Sequence, residues 1–262
     1  MSKTLKLLWQ FKWITIATLF IELLILFPAY LMLYIFGEKT LAINLAVTPV
    51  GSTEHFGVLM DAVINQPGLI YGLLIFVLIL PLLFLTKLAL AAATMASVQQ
   101  ESWKLSNWLS DAGKNALPTL GLFMRWLIVP IILCGLVAVS IKFSGGVVKT
   151  ALFGLLAVAW LFSLSWFSYA LNFTVLKEKK ALIKGFSVLR KNLVRFLLTM
   201  LIFVAGAAAI KLTSWFYFKS NSMADTGLIM AIFGALLLGL ATRFLILFWQ
   251  TSHVVGWRKA TS

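Results

Sequence analysis

Glu22 is the one carboxylate placed to do chemistry inside an apolar stretch, nine residues into the run 13–36. A carboxylate taken out of water must be protonated or matched by a cation. Cations in comparable runs are Arg125, Lys211 and Arg243, with Lys87 near the inner end of the second run. Arg125 and Arg243 lie within one to two turns of the inner ends, close enough to snorkel, and Lys211 is placed to snorkel outward. A Glu22–Arg243 or Glu22–Arg125 pair would fix helix packing or gate a polar cavity. A protonated Glu22 facing lipid is the plainer alternative, and buried pairs more often serve specificity than turnover.

Other reactive types are scattered. Glu54, His55 and Asp61 are close in sequence and could approach a cation, but their spacing matches no metal motif, and ordinary solvated loop groups are the expectation. His253 stands alone near the C-terminus, and Cys134 reads as a small apolar filler within a helix. No nucleophile–base set, Walker loop, dinucleotide fingerprint or zinc pattern occurs. The expectation is therefore no enzyme, no catalytic residues, no cofactor, no metal and no nucleic-acid partner.

The elements that position these residues follow from composition. Of 262 residues, 61% are hydrophobic and 11% charged, with a mean hydropathy of +1.00. Soluble domains are near half apolar and a quarter charged, so an all-α polytopic membrane protein is indicated. Runs long enough to cross about 30 Å of hydrocarbon occur at 13–36, 69–90, 120–141, 151–175, 196–218 and 228–250. The first is longer than the core of a signal peptide and lacks a small-x-small cleavage site, so it reads as a retained anchor.

Charge sets the orientation. The N-terminus, the connections 87–118 and 176–195 and the tail after Gln250 carry 15 basic residues against Glu101, Asp111 and Glu178. The other side balances Lys39, Lys142, Lys149 and Lys219 against Glu38, Glu54, Asp61 and Asp225. Positive loops stay inside, which places both termini in the cytoplasm of a multi-pass protein, with the bacterial inner membrane the preferred location.

The spans read as three hairpins within a single transmembrane domain, 1–262, with units at about 1–95, 96–175 and 176–252. Lys114-Asn115 and Lys191-Asn192 open outgoing helices 77 residues apart, and Ser165-Trp166 and Thr242-Arg243 in returning helices repeat that spacing. A short amphipathic segment precedes each outgoing helix. One face carries Leu5, Leu8 and Trp9, or Leu105, Trp108 and Leu109, or Leu182, Phe186 and Leu189, with lysines opposite. Such helices lie in the headgroup plane, so Lys104, Lys114, Lys180, Lys184 and Lys191 are candidate contacts to anionic lipid, beside their role as topology signals. The outer loop 37–66 carries a further apolar helix face at Phe56, Leu59, Met60 and Val63.

Small residues mark packing. Ala205 and Ala209, and Ala231, Ala235 and Gly239, form stripes along which helix backbones approach. Pro28, Pro81 and Pro130 lie within the first three spans, and Trp9, Trp13, Tyr34, Tyr71, Trp215, Tyr217, Trp249 and Trp257 sit near span ends as interface anchors.

The stretch FTVLKEKKALIKGFSVLRKNLVRFLLTMLIFV is similar to the hallmark of six-helix bacterial membrane proteins related to the membrane domain of glycerophosphoryl diester phosphodiesterases. LALAAATMASVQQESWKLSNWLSDAGKNALPTLGLF and TSHVVGWRK resemble the corresponding first connection and chain end, so the likeness extends over nearly all of the chain. It implies a helical membrane domain; the catalytic domain of those enzymes has no counterpart. The leading expectation is a non-catalytic scaffold or accessory subunit of a membrane complex. Its partners would be membrane lipids and another membrane protein or a second copy of itself. A transporter or lipid-handling permease using Glu22 and an arginine is the alternative.

Overall fold

Where lipid replaces water, every backbone N–H and C=O must bond within its own segment, so apolar runs of this length have only the helix open to them. The computed structural model describes residues 2–36, 67–142, 145–220 and 227–261 and contains no strand among them. Its helices are α1 (Ser2–Gln10), α2 (Lys12–Phe36), α3 (Pro67–Gln100), α4 (Leu105–Lys142), α5 (Gly146–Val175), α6 (Ala181–Lys191), α7 (Leu193–Ser220) and α8 (Gly227–Thr261). Five of these, α3, α4, α5, α7 and α8, are long and apolar enough to cross a membrane. The pair α1 and α2, bent by 51° at Phe11, raises the number to six if taken as one span. The outer loop 37–66 with Glu54, His55 and Asp61 lies outside the described residues, as do Asp225 and the side chains of Tyr34, Tyr71, Trp215, Tyr217, Lys219 and Ala231.

The chain divides into two compact units, Met1–Thr18 with Leu88–Ser262, and Leu19–Lys87. In the second unit the apolar side chains Phe20, Leu24, Phe27, Val77 and Leu78 are exposed, as lipid-facing groups are.

The first unit is packed from one end. There α1 lies against α8, α5 against α4 and α6, and α8 against both α7 and α5. Tyr169, Phe173, Val188, Leu189 and Phe196 form a buried cluster, with Phe162 meeting Phe196 edge to face at 5.6 Å. Away from this end the exposed side chains are Ile128, Ile131, Leu136, Val147 and Leu155, while buried positions within the bundle include Ser163, Ser165, Ser168, Asn172, Thr199 and Ser252. An apolar exterior over inward-turned polar groups suits a lipid setting, and Ser168, Asn172, Thr199 and Ser252 find hydrogen-bond partners within the bundle.

One local feature differs from the sequence reading. The segment before α4 is not a separate helix: α4 runs unbroken from Leu105 through Pro118 and Pro130 to Lys142. A proline removes one backbone hydrogen bond, which a 38-residue helix with packed neighbours survives. By contrast α6 ends at Asn192, whose amide bonds the carbonyls of both Val188 and Leu189 before α7 begins. Of the amphipathic faces, Leu5, Trp9, Leu105 and Leu109 are exposed, while Trp108 and Leu189, together with Leu7 and Phe11, are buried against the bundle.

A close backbone approach joins α5 and α6. A Cβ on Gly185 would stand 2.6 Å from the backbone nitrogen of Ala170, so only glycine fits this crossing. Both flanks of the connection are also fixed. Lys177 takes a left-handed φ of 57°, and Glu178 N–H donates to the Phe173 carbonyl at 2.9 Å, closing α5 with a Schellman-type turn. Lys184 then pairs with Glu178.

Candidate functional site

The polar side chains that matter are held by tryptophans and arginines reaching across helices. Indole N–H groups donate from Trp126 to the Ser163 carbonyl (2.9 Å), from Trp166 to the Leu182 carbonyl (2.7 Å) and from Trp249 to Ser168 Oγ (3.0 Å). They tie α4 to α5, α5 to α6 and α8 to α5. Ser168 Oγ–H in turn donates to the Leu164 carbonyl at 2.9 Å, so its hydroxyl both donates and accepts. Trp249 is thus buried between helices rather than placed as an interface anchor, whereas Trp9 and Trp13 are exposed as anchors would be.

His253 is buried within α8, not isolated on a tail. Its Nδ1 lies 2.7 Å from the Trp249 carbonyl, and a carbonyl only accepts, so that nitrogen carries a proton. The ring packs on Tyr169 and Trp249 at 4.7 and 4.6 Å between centroids. Cys134, read as a filler, is exposed on α4.

Two arginines act as brackets. Arg195 on α7 donates from Nε to the Ser252 carbonyl on α8 (3.1 Å) and from Nη2 to Thr4 Oγ1 on α1 (2.8 Å). Beside it Thr199 and Ser252 share a buried hydroxyl–hydroxyl bond of 2.7 Å. Arg258 near the end of α8 reaches the end of α3, where Nη2 donates to the carbonyls of Val98 (3.0 Å) and Gln99 (2.5 Å) and Nη1 pairs with Glu101. A cation at a helix C-terminus satisfies carbonyls that lack an intrahelical partner and opposes the negative end of the dipole. The guanidinium's hydrogen bond first, and its charge second, hold the Glu101 carboxyl below the usual carboxylate range. Gln10 completes this corner by donating to the Glu101 carbonyl at 2.9 Å.

Two basic cavities open at this end. One, of about 400 Å³, is formed where α6, α7 and α8 meet and is lined by Arg190, Lys191, Arg195 and Lys259 with Thr199 and Ser252. The other, of about 630 Å³, lies between α4 and the α5–α6 turn and is lined by Arg125, Lys177, Lys179 and Lys180 together with Glu178.

The residues singled out by sequence are distributed as follows. Lys104, Lys114, Lys180, Lys184 and Lys191 are all exposed. Lys180 joins Arg125 in the larger cavity and Lys191 joins the smaller one. Glu22 is buried, at 5% exposure, in the second unit, which also holds the exposed Lys87. Arg125, exposed, and Arg243, half-buried, belong to the first unit. Lys211 is exposed on α7. Ala205, Ala209 and Ala235 are exposed and Gly239 is half-buried. The tight α7–α8 approach falls instead at Gly206, where a Cβ would come within 2.8 Å of Leu245.

Sequence reasoning counted Arg195 and Arg258 only as loop charges and passed over Thr199 and Ser252. A usable signal was present. Asn192, Arg195 and Thr199 recur at helical spacing, as do Ser252, Gly256 and Lys259, so each set shares one face of its helix. Comparison of the chain with protein-family models, with curated proteins and with solved structures gives no match.

Proposed function

We propose that this chain is a non-catalytic, multi-pass membrane protein that serves as a scaffold or accessory subunit of a membrane complex and holds anionic lipid with its basic end. The observation that carries the reading is the division of labour within the first unit. Arg195, Arg258 and the cross-helix tryptophans are engaged in tying helices together, while the lysines around them are exposed and the arms present aliphatic side chains outward. A rigid end with a basic rim fits adhesion to an anionic surface, to which each nearby basic residue adds on the order of 1 kcal/mol.

The finer reading has α1 with α2 as the sixth span, three hairpin units, both termini in the cytoplasm and a bacterial inner membrane as the setting. One detail supports the repeat. Asn115 and Asn192, 77 residues apart, each donate from Nδ2 to the carbonyl four residues earlier, at 2.8 and 3.0 Å. Kinship with the membrane domain of glycerophosphoryl diester phosphodiesterases belongs to the same proposal, and rests on the stretches quoted above.

Purification in mild detergent is the test. A co-purifying membrane protein, lost when the exposed face of Ala205 and Ala209 is made bulky, is the expected result; a lone monomer overturns the scaffold reading. The second reading is a permease whose path includes Glu22, which is buried; a water-filled path reaching that carboxylate would favour it. That reading requires Glu22→Gln to abolish substrate movement in reconstituted vesicles while leaving the fold intact.

A further inference from the structure

We infer that the cleft where α6, α7 and α8 meet is a binding site for the phosphate of an anionic phospholipid. The inference rests on the membrane placement and lipid affinity proposed above and adds a specific site to them.

The cleft has the chemistry for a phosphate. Arg190, Lys191, Arg195 and Lys259 contribute to its lining from three helices, and no carboxylate is among its described lining residues. Arg195 is oriented in advance: its bonds to the Ser252 carbonyl and the Thr4 hydroxyl hold the guanidinium plane in place. An anion arriving there meets a fixed fork of donors, and little side-chain freedom is lost on binding. The cleft's volume, about 400 Å³, suits a headgroup rather than a whole lipid.

The surroundings argue for a lipid over a free phosphate. Leu193, Val194 and Leu198 continue the lining along α7, and they are exposed together with Leu197 and Leu201 farther along the same helix. An acyl chain can follow that apolar strip while its phosphate stays among the cations, an arrangement known for basic pockets at the cytoplasmic ends of membrane helices. The larger cavity beside Arg125 is less suited, because Glu178 sits in its lining.

The test uses the whole chain in mild detergent, with retention of phosphatidic acid and of phosphatidylcholine measured by native mass spectrometry. The variant Lys191→Gln/Lys259→Gln changes two exposed residues of the cleft and leaves Arg195 in place. The variant Lys104→Gln/Lys114→Gln removes the same charge from exposed positions outside it. A basic residue near an anionic lipid strengthens binding by about fivefold, so the first variant is expected to retain phosphatidic acid about thirtyfold more weakly, and the second to stay within about threefold of the parent. Phosphatidylcholine, with no net charge, is expected to bind weakly to all three. Equal weakening by the two variants, or none by the first, overturns the cleft while leaving general lipid adhesion standing. Failure of the unaltered chain to prefer phosphatidic acid overturns the broader lipid reading as well. Displacement of the lipid by equimolar inorganic phosphate overturns the lipid assignment and identifies the free ion as the ligand.

Discussion

Substituting Gly185 by alanine tests the geometry of the packed end where two helix backbones come close together. The added Cβ would stand 2.6 Å from the nitrogen, 2.7 Å from the Cα and 2.9 Å from the Cβ of Ala170. Ordinary contacts between such atoms fall near 3.5–4.0 Å, so α6 must retreat from α5 by roughly 1 Å. Because the obstacle is mostly backbone, no rotamer change relieves it. Overpacking of this kind costs about 1–3 kcal/mol, against which alanine in mid-helix contributes about 1 kcal/mol relative to glycine. The net expectation is a loss of up to about 2 kcal/mol. Gly154 is the control, since it is exposed on α5 with nothing within 4 Å of where an added methyl group would stand.

There alanine should add up to about 1 kcal/mol through helix propensity alone. For a chain of this size about 2–4 °C accompanies each kcal/mol, and the propensity gain is common to both, so the two variants should melt about 2–12 °C apart. Thermal unfolding followed by circular dichroism in one detergent measures that gap. Hydrogen exchange across α6 should rise in Gly185→Ala, because the bond from Trp166 to the Leu182 carbonyl stretches as the helices part. A Gly185→Ala protein as stable as Gly154→Ala would refute the close α5–α6 crossing.

Three further outcomes are expected. Trp249→Phe removes the donor to Ser168 and part of the stack on His253 and should cost about 2–3 kcal/mol, read as a lowered melting temperature in detergent; a change under about 0.5 kcal/mol would show that the indole N–H does not tie α8 to α5. Glu101 has its carboxyl pKa lowered by Arg258, so the pair's contribution is complete above the ordinary carboxylate value and disappears as pH falls through the lower folded value; an acid titration of stability should differ between the parent and Glu101→Gln above that window and converge below it. Lys177→Gly should raise stability by about 0.5–1 kcal/mol in thermal melts, since a left-handed φ of 57° favours glycine, and a lowered melting temperature would contradict the turn that closes α5.

The helices themselves could be read without coordinates. Twenty apolar residues in succession leave the backbone no other way to satisfy its polar groups, and a surplus of lysine and arginine on alternate connections is a property of the chain alone. Exposed positions such as Lys104, Lys114 and Lys184 were legible for the same reason, because a long cation on an amphipathic segment turns outward whatever lies beneath it. The joins between helices were not. Whether an amphipathic segment continues into its span, as at Leu105, or breaks from it, as at Asn192, depends on which neighbour it packs against.

The same holds for the residues that assemble the cleft. Arg195 meets Ser252 and Thr4 across separations of 57 and 191 residues, and Arg258 meets Glu101 across 157. Periodicity can assign each to a helix face, but only tertiary packing decides which faces meet. Helix formation is local, fixed by bonds four residues apart, whereas a site drawn from three helices exists only once those helices have chosen their partners.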